Sequence, residues 1–243
     1  MIVMGVSAQA IEYTPLTESE VGVAAVRLYE AAQAVWAKAE ADLNPLGDGR
    51  KLSELNVGSD VNLLIKKYAA PHYANEPTVV DSATFEKLTE PRWYRGVRPN
   101  SDEVSSSTSV STYFENLKCG DFYTGMAGNG IYAGDDVSIA KPYAGDSGLV
   151  CMFVYNNAAR VISARDTERI LEKYFADHPE YKDNTSDAKH KFFNAQESAL
   201  GTAGFVGRLL GYDVIFGANT EIGGVHVCSV LNRGILTIDE NPC

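Results

Sequence analysis

Gly128-Asn129-Gly130-Ile131-Tyr132-Ala133-Gly134-Asp135-Asp136-Val137-Ser138-Ile139-Ala140-Lys141-Pro142-Tyr143-Ala144 is the stretch on which the reading of this chain turns. A Gly-x-Gly pair by itself marks only a turn, because glycine reaches backbone conformations closed to other residues. Here the turn runs into a short strand carrying Tyr132, a second turn, and a short helix that ends at Tyr143. Two tyrosines therefore stand eleven residues apart. Tyr132 alone reads as a core tyrosine and Tyr143 alone as a surface cap.

Working outward, the texture changes at Arg92. Trp93-Tyr94-Arg95-Gly96-Val97 is a strand candidate, and residues 101–112 form a serine-rich loop or edge. Upstream, Thr17-Glu18-Ser19-Glu20 has the spacing of a capping box. After it Val21, Ala25, Leu28, Ala32, Val35, Trp36, Ala39 and Leu43 recur at helical spacing until Asn44-Pro45 and Gly47 stop the run. Further helices are expected over residues 60–70 and from about Asp81. Residues 1–90 are thus a helical region without evident chemistry, and residues 91–243 the domain that carries it. Downstream, the continuous apolar run 149–155 reads as a buried strand. A helix over 166–175 follows, and the alternating charges Arg165-Asp166-Thr167-Glu168-Arg169 read as its solvated face. Residues 178–191 read as a polar, irregular loop, and 192–210 as a helix weakened by Gly201, Gly204 and Gly207. A strand from Tyr212 and a strand pair, 225–231 with 235–238, complete an α+β pattern.

The chain has 243 residues, enough to bury a core without metals or disulfides. Its net charge of −11 argues against a general nucleic-acid binder that works by neutralising phosphates. Cys119, Cys151, Cys228 and Cys243 form neither a CxxC pair nor a zinc spacing, and His72, His178, His190 and His226 are scattered, so no metal is expected. Cys151 and Cys228 sit in apolar runs and read as inert core thiols in a reducing compartment. Residues 1–13 have neither a basic start nor a long apolar core, and no apolar run approaches membrane-spanning length. A cytoplasmic protein with no membrane contact is expected; a toxin exported without a leader and delivered into a target cell would look the same.

The opening stretch resembles the nicotinamide-binding segment of ADP-ribosyltransferases, closest to the poly-ADP-ribose polymerase and diphtheria-toxin branch. The resemblance covers residues 92–238. It implies a split β-sandwich preceded by the helical region, and NAD as co-substrate. Tyr132 falls on the middle residue of the family's His-Tyr-Glu triad and Tyr143 on its second stacking tyrosine; Ser138 lies in the pocket segment between them. Tyr94-Arg95-Gly96 matches the first strand, where the glycine backbone pairs with the nicotinamide carboxamide, and Arg95 would supply donors to a ribose or phosphate oxygen. Arg95 stands where that branch has histidine. Arginine there belongs to the cholera-toxin branch, whose Ser-Thr-Ser motif is spelled by Ser107-Thr108-Ser109, although before the Gly-x-Gly segment and with no Glu-x-Glu near Glu221.

Setting residues 235–238 on the family's last strand places Glu221 at the catalytic carboxylate position. Gly223-Gly224 straight afterwards is poor strand sequence, and a register shifted by a few residues would put Val225 or His226 there instead. The resemblance implies a mono-ADP-ribosyltransferase of phage or bacterial toxin type, acting on a protein or nucleic-acid acceptor and held in check by an antitoxin or inhibitor protein. An NAD glycohydrolase, and a non-catalytic NAD- or ADP-ribose-binding phage structural or interaction protein, remain as alternatives.

Overall fold

Thr17 opens the first helix, α1 (Glu18–Ala41), with the reciprocal bonds of a capping box: its side chain accepts from the Glu20 amide, and the Glu20 carboxylate accepts from the Thr17 amide at 2.8 Å. Val21, Ala24, Ala25, Leu28, Ala32, Val35, Trp36 and Ala39 are buried, one helical stripe. Leu43, expected to extend that stripe, lies past the helix end and is fully exposed, because Asp42 already leaves helical geometry. The computed structural model describes residues 13–56, 59–69, 77–97, 131–144, 149–155, 158–182, 187–194, 201–217 and 227–241.

The remaining elements, in chain order, are α2 (Ser59–Tyr68), β1 (Thr78–Val80), α3 (Ser82–Phe85), β2 (Trp93–Val97), β3 (Ile131–Gly134), α4 (Val137–Ala144), β4 (Leu149–Tyr155), β5 (Val161–Ser163), α5 (Ala164–Asp177), α6 (Ala188–Phe193), α7 (Gly201–Leu209), β6 (Val214–Phe216), β7 (Val227–Val230) and β8 (Leu236–Asp239). The chain is mixed helix and strand, as the pattern predicts. Residues 178–191, expected to be irregular, hold a short 3-10 turn at Pro179–Tyr181 and most of α6, whose Phe192 and Phe193 are buried. The helix expected from residue 192 is instead two, α6 and α7.

The eight strands form one sheet in the order β1-β8-β4-β2-β3-β7-β6-β5. β2 pairs with β4 along all of Trp93–Val97, but its ladder with β3 is the single pair Tyr94 and Gly134. The sheet is therefore two four-stranded halves joined at one residue pair. The segments expected to pair with each other, β7 and β8, lie instead in opposite halves, β7 beside β3 and β6, β8 beside β4 and β1. Four strand spacings in a flat sheet are about 19 Å. The connection from Val230 to Leu236 contains a 3-10 turn at Arg233–Ile235 and reaches only about 16 Å. The halves must therefore bend toward each other across the β2–β3 joint.

Register assigns the faces. The Tyr94–Gly134 pair, Gly96 and Tyr132 share one face by strand alternation. On it α4 covers the β2 side, while α1, α2, α5 and α7 cover Ile162, Ile215 and Leu231 in one hydrophobic cluster. Trp93, Arg95, Ile131 and Ala133 lie on the other face, with Val214, Val230, Leu236 and Ile238, and all are buried. The hydrophobic cluster draws on residues from both sides of position 90, and β1 completes the sheet from the N-terminal side.

Asp166 departs from its expected place on a solvated face. It is buried, accepts from the Tyr13 hydroxyl at 2.6 Å and the Leu16 amide at 3.1 Å, and pairs with Arg169, so it fastens the lead-in of α1 to α5. Burial raises its carboxyl, but the donors Tyr13, Leu16, Arg169 and Ser163 outweigh that and hold it below the usual carboxylate range. The Tyr13 hydroxyl is pushed up to about 12 by burial and by that same carboxylate.

Candidate functional site

Residues 131–144 fold as a strand, β3, a turn and α4, laid against β2; Gly128, Asn129 and Gly130, with their expected turn, lie outside the described residues. Asp136 starts the helix by accepting from the Ser138 amide at 2.7 Å, and the Ser138 hydroxyl and amide hold its carboxyl below the usual range. Two glycines let α4 lie directly on the strands. A Cβ on Gly96 would sit 2.1 Å from the Ala140 carbonyl oxygen, 2.5 Å from the Ala144 nitrogen and 3.0 Å from the Tyr143 carbonyl carbon. A Cβ on Gly134 would sit 2.9 Å from Ile139 Cβ and Cγ2. No side chain fits between strand and helix at either position.

Five of the six expected site residues lie on β2, β3 or α4. Gly96 lies under the last turn of α4, and Tyr143 sits directly above it with its side chain in the open, 61% exposed. Tyr132, on the same face, is partly buried and packs against the helical cluster. Ser138 lies in the first turn of α4, exposed and bonded to Asp136. Arg95 leaves the opposite face, is 9% exposed, and donates from Nη1 to the Tyr132 carbonyl at 3.0 Å. The sixth, Glu221, lies outside the described residues, as do Ser107, Thr108 and Ser109.

β7 bears on the carboxylate question. It starts at Val227, opposite Gly134, and Tyr132 stands opposite Ser229. Its residues Val227-Cys228-Ser229-Val230 carry no carboxylate. Among the described residues no group of three or more His, Cys, Asp or Glu is placed to hold a metal, and no helix is long and apolar enough to cross a membrane.

The joint makes a notch. Among the described residues, β2 has no ladder pair with β3 beyond Tyr94. The backbone of α4 from Ala140 to Ala144 lies against Gly96 at this point, and the side chain of Tyr143, on the same turn, is exposed. The sequence places Tyr94 and Gly134 in separate motifs and does not reveal that they pair across the joint. A glycine ending a strand was the available signal for Gly134, since it marks close backbone approach. Comparison of the chain with family models, curated proteins and solved structures returns no match.

Proposed function

We propose that this chain binds NAD at the β2–β3 notch and is a mono-ADP-ribosyltransferase with an ADP-ribosyltransferase-like split β-sandwich. The observation that carries the reading is the contact of Gly96 with the backbone of the last turn of α4, the turn that bears the exposed side chain of Tyr143. It joins a side-chain-free strand to a stacking surface, the two features that a nicotinamide carboxamide and its ring require. The joining of the sheet halves at one residue pair supports the same reading.

In this reading Tyr143 and Tyr132 flank nicotinamide, and Gly96 reads the carboxamide. The glycosidic bond breaks with its electron pair leaving on the nicotinamide nitrogen. A carboxylate, assigned to Glu221, stabilises the oxocarbenium-like ribose, as carboxylates do in glycoside cleavage. Losing one such preorganised contact typically costs about 3–4 kcal/mol of transition-state stabilisation. A nucleophile on a protein or nucleic acid then attacks the anomeric carbon and releases its proton. With water as nucleophile, the same steps make an NAD glycohydrolase.

A second reading, a binding module for NAD or ADP-ribose that does not cleave it, draws on the described residues of β7, Val227–Val230, which carry no carboxylate. Incubation with labelled NAD and cell lysate separates the three. Label transferred to macromolecules supports the transferase. Nicotinamide released without transfer supports the hydrolase. Neither, with NAD still protecting against thermal unfolding, supports the binding module; no protection at all would remove NAD from the account. Unchanged activity in Glu221→Ala would withdraw the role of that residue.

A further inference from the structure

We infer that Arg95 is a positioning residue which sets the width of the β2–β3 notch, rather than a grip on the phosphate or ribose of NAD. The inference rests on the notch being the NAD site. Among the described residues the two sheet halves meet in one main-chain ladder pair, Tyr94 with Gly134. One residue further along β2, Arg95 reaches the carbonyl of Tyr132 on β3 at 3.0 Å. A side chain thus adds a tie between the halves beside that pair. The bond is charge-assisted and the residue is 9% exposed, so water competes with it little.

Position separates Arg95 from the proposed ring site. Gly96 faces α4 and the backbone of Tyr143. Arg95, its neighbour in the same strand, leaves the opposite face, where Trp93, Ile131 and Ala133 are buried. What Arg95 holds is the carbonyl of the residue whose ring would flank nicotinamide. Releasing it lets β3 move away from β2, which changes the distance from Tyr132 to Gly96 and Tyr143 together. A planar fork suits this task better than an ammonium, so lysine should restore only part of the effect.

Two probes separate a tie from a grip: nicotinamide, which has no ribose or phosphate, and NAD, which has both. In Arg95→Met, amide hydrogen exchange across Ile131–Gly134 in the ligand-free protein should rise about 10-fold, and affinity for nicotinamide and for NAD should fall by the same factor. Arg95→Lys should recover part of each loss, and it carries the same comparison if Arg95→Met does not fold. Unchanged exchange across Ile131–Gly134 would overturn the inference. So would a loss of NAD affinity with nicotinamide affinity kept, which puts the guanidinium on ribose or phosphate. If the wild-type protein binds neither probe, the NAD reading falls while the exchange measurement still decides whether Arg95 ties the strands.

Discussion

Gly96 shows how one residue can serve two arguments. The sequence resemblance asks for glycine so that its backbone can meet a carboxamide; the fold asks for glycine because the backbone of α4 occupies the space of a Cβ. Gly96→Ala would press a methyl to 2.1 Å from a carbonyl oxygen held in a helix, which cannot swing aside as a side-chain end would. We expect it to lose about 3 kcal/mol of stability in urea unfolding. Weaker NAD binding in that variant would therefore not identify an amide contact. Tyr143 offers the clean test, because its ring is largely in solvent. Tyr143→Ala should change stability by less than about 0.5 kcal/mol and lower nicotinamide affinity about 10-fold, as measured by titration calorimetry. Unchanged affinity would remove Tyr143 from the site.

At the scale of elements, α1 was legible down to its cap, since periodicity and the Thr17–Glu20 pair are local. So was β2, a short apolar run behind a change of texture. Asp166 was not, because the alternation of charges around it gives no hint that Tyr13 and Leu16 return to cover it. Its depressed carboxyl makes the join between α5 and the lead-in of α1 sensitive to acid. A carboxyl lower in the folded than in the unfolded state adds stability above the unfolded value, about 3.9, and loses it as pH falls through the folded value. The stability advantage of wild type over Asp166→Asn, from urea unfolding at a series of pH values, should hold near neutrality and shrink below about pH 4. An advantage independent of pH would mean that the charge of Asp166 does not matter. The strand pair expected between residues 225–231 and 235–238 failed for a related reason. Proximity in sequence suggested pairing, but the short connection crosses between the two bent halves and delivers each strand to a different neighbour.

Across the whole molecule, the apolar face of α1 and the helices after β5 are buried in one cluster. Leu28, fully buried, should cost about 3 kcal/mol when cut to alanine. The two tryptophans report on the two sides of residue 90, Trp36 from α1 and Trp93 from β2. Followed separately in Trp93→Phe and Trp36→Phe backgrounds, both should show one unfolding midpoint, shifted equally by Leu28→Ala. Two midpoints, with only that of Trp36 moving, would mean that the N-terminal helices unfold as a unit of their own. The sequence by itself determined the local pieces: the cap and apolar stripe of α1, the strands β2 and β4, and the strand-turn-helix that carries Tyr132 and Tyr143. Periodicity and turn chemistry act over a few residues, so one chain suffices to read them. Only the tertiary structure decided that Gly96 lies under Tyr143, that Arg95 turns to the other face and ties β3, and that β7 and β8 part company. Those facts depend on strand order and on which faces are covered, and contacts between residues far apart in the chain set both.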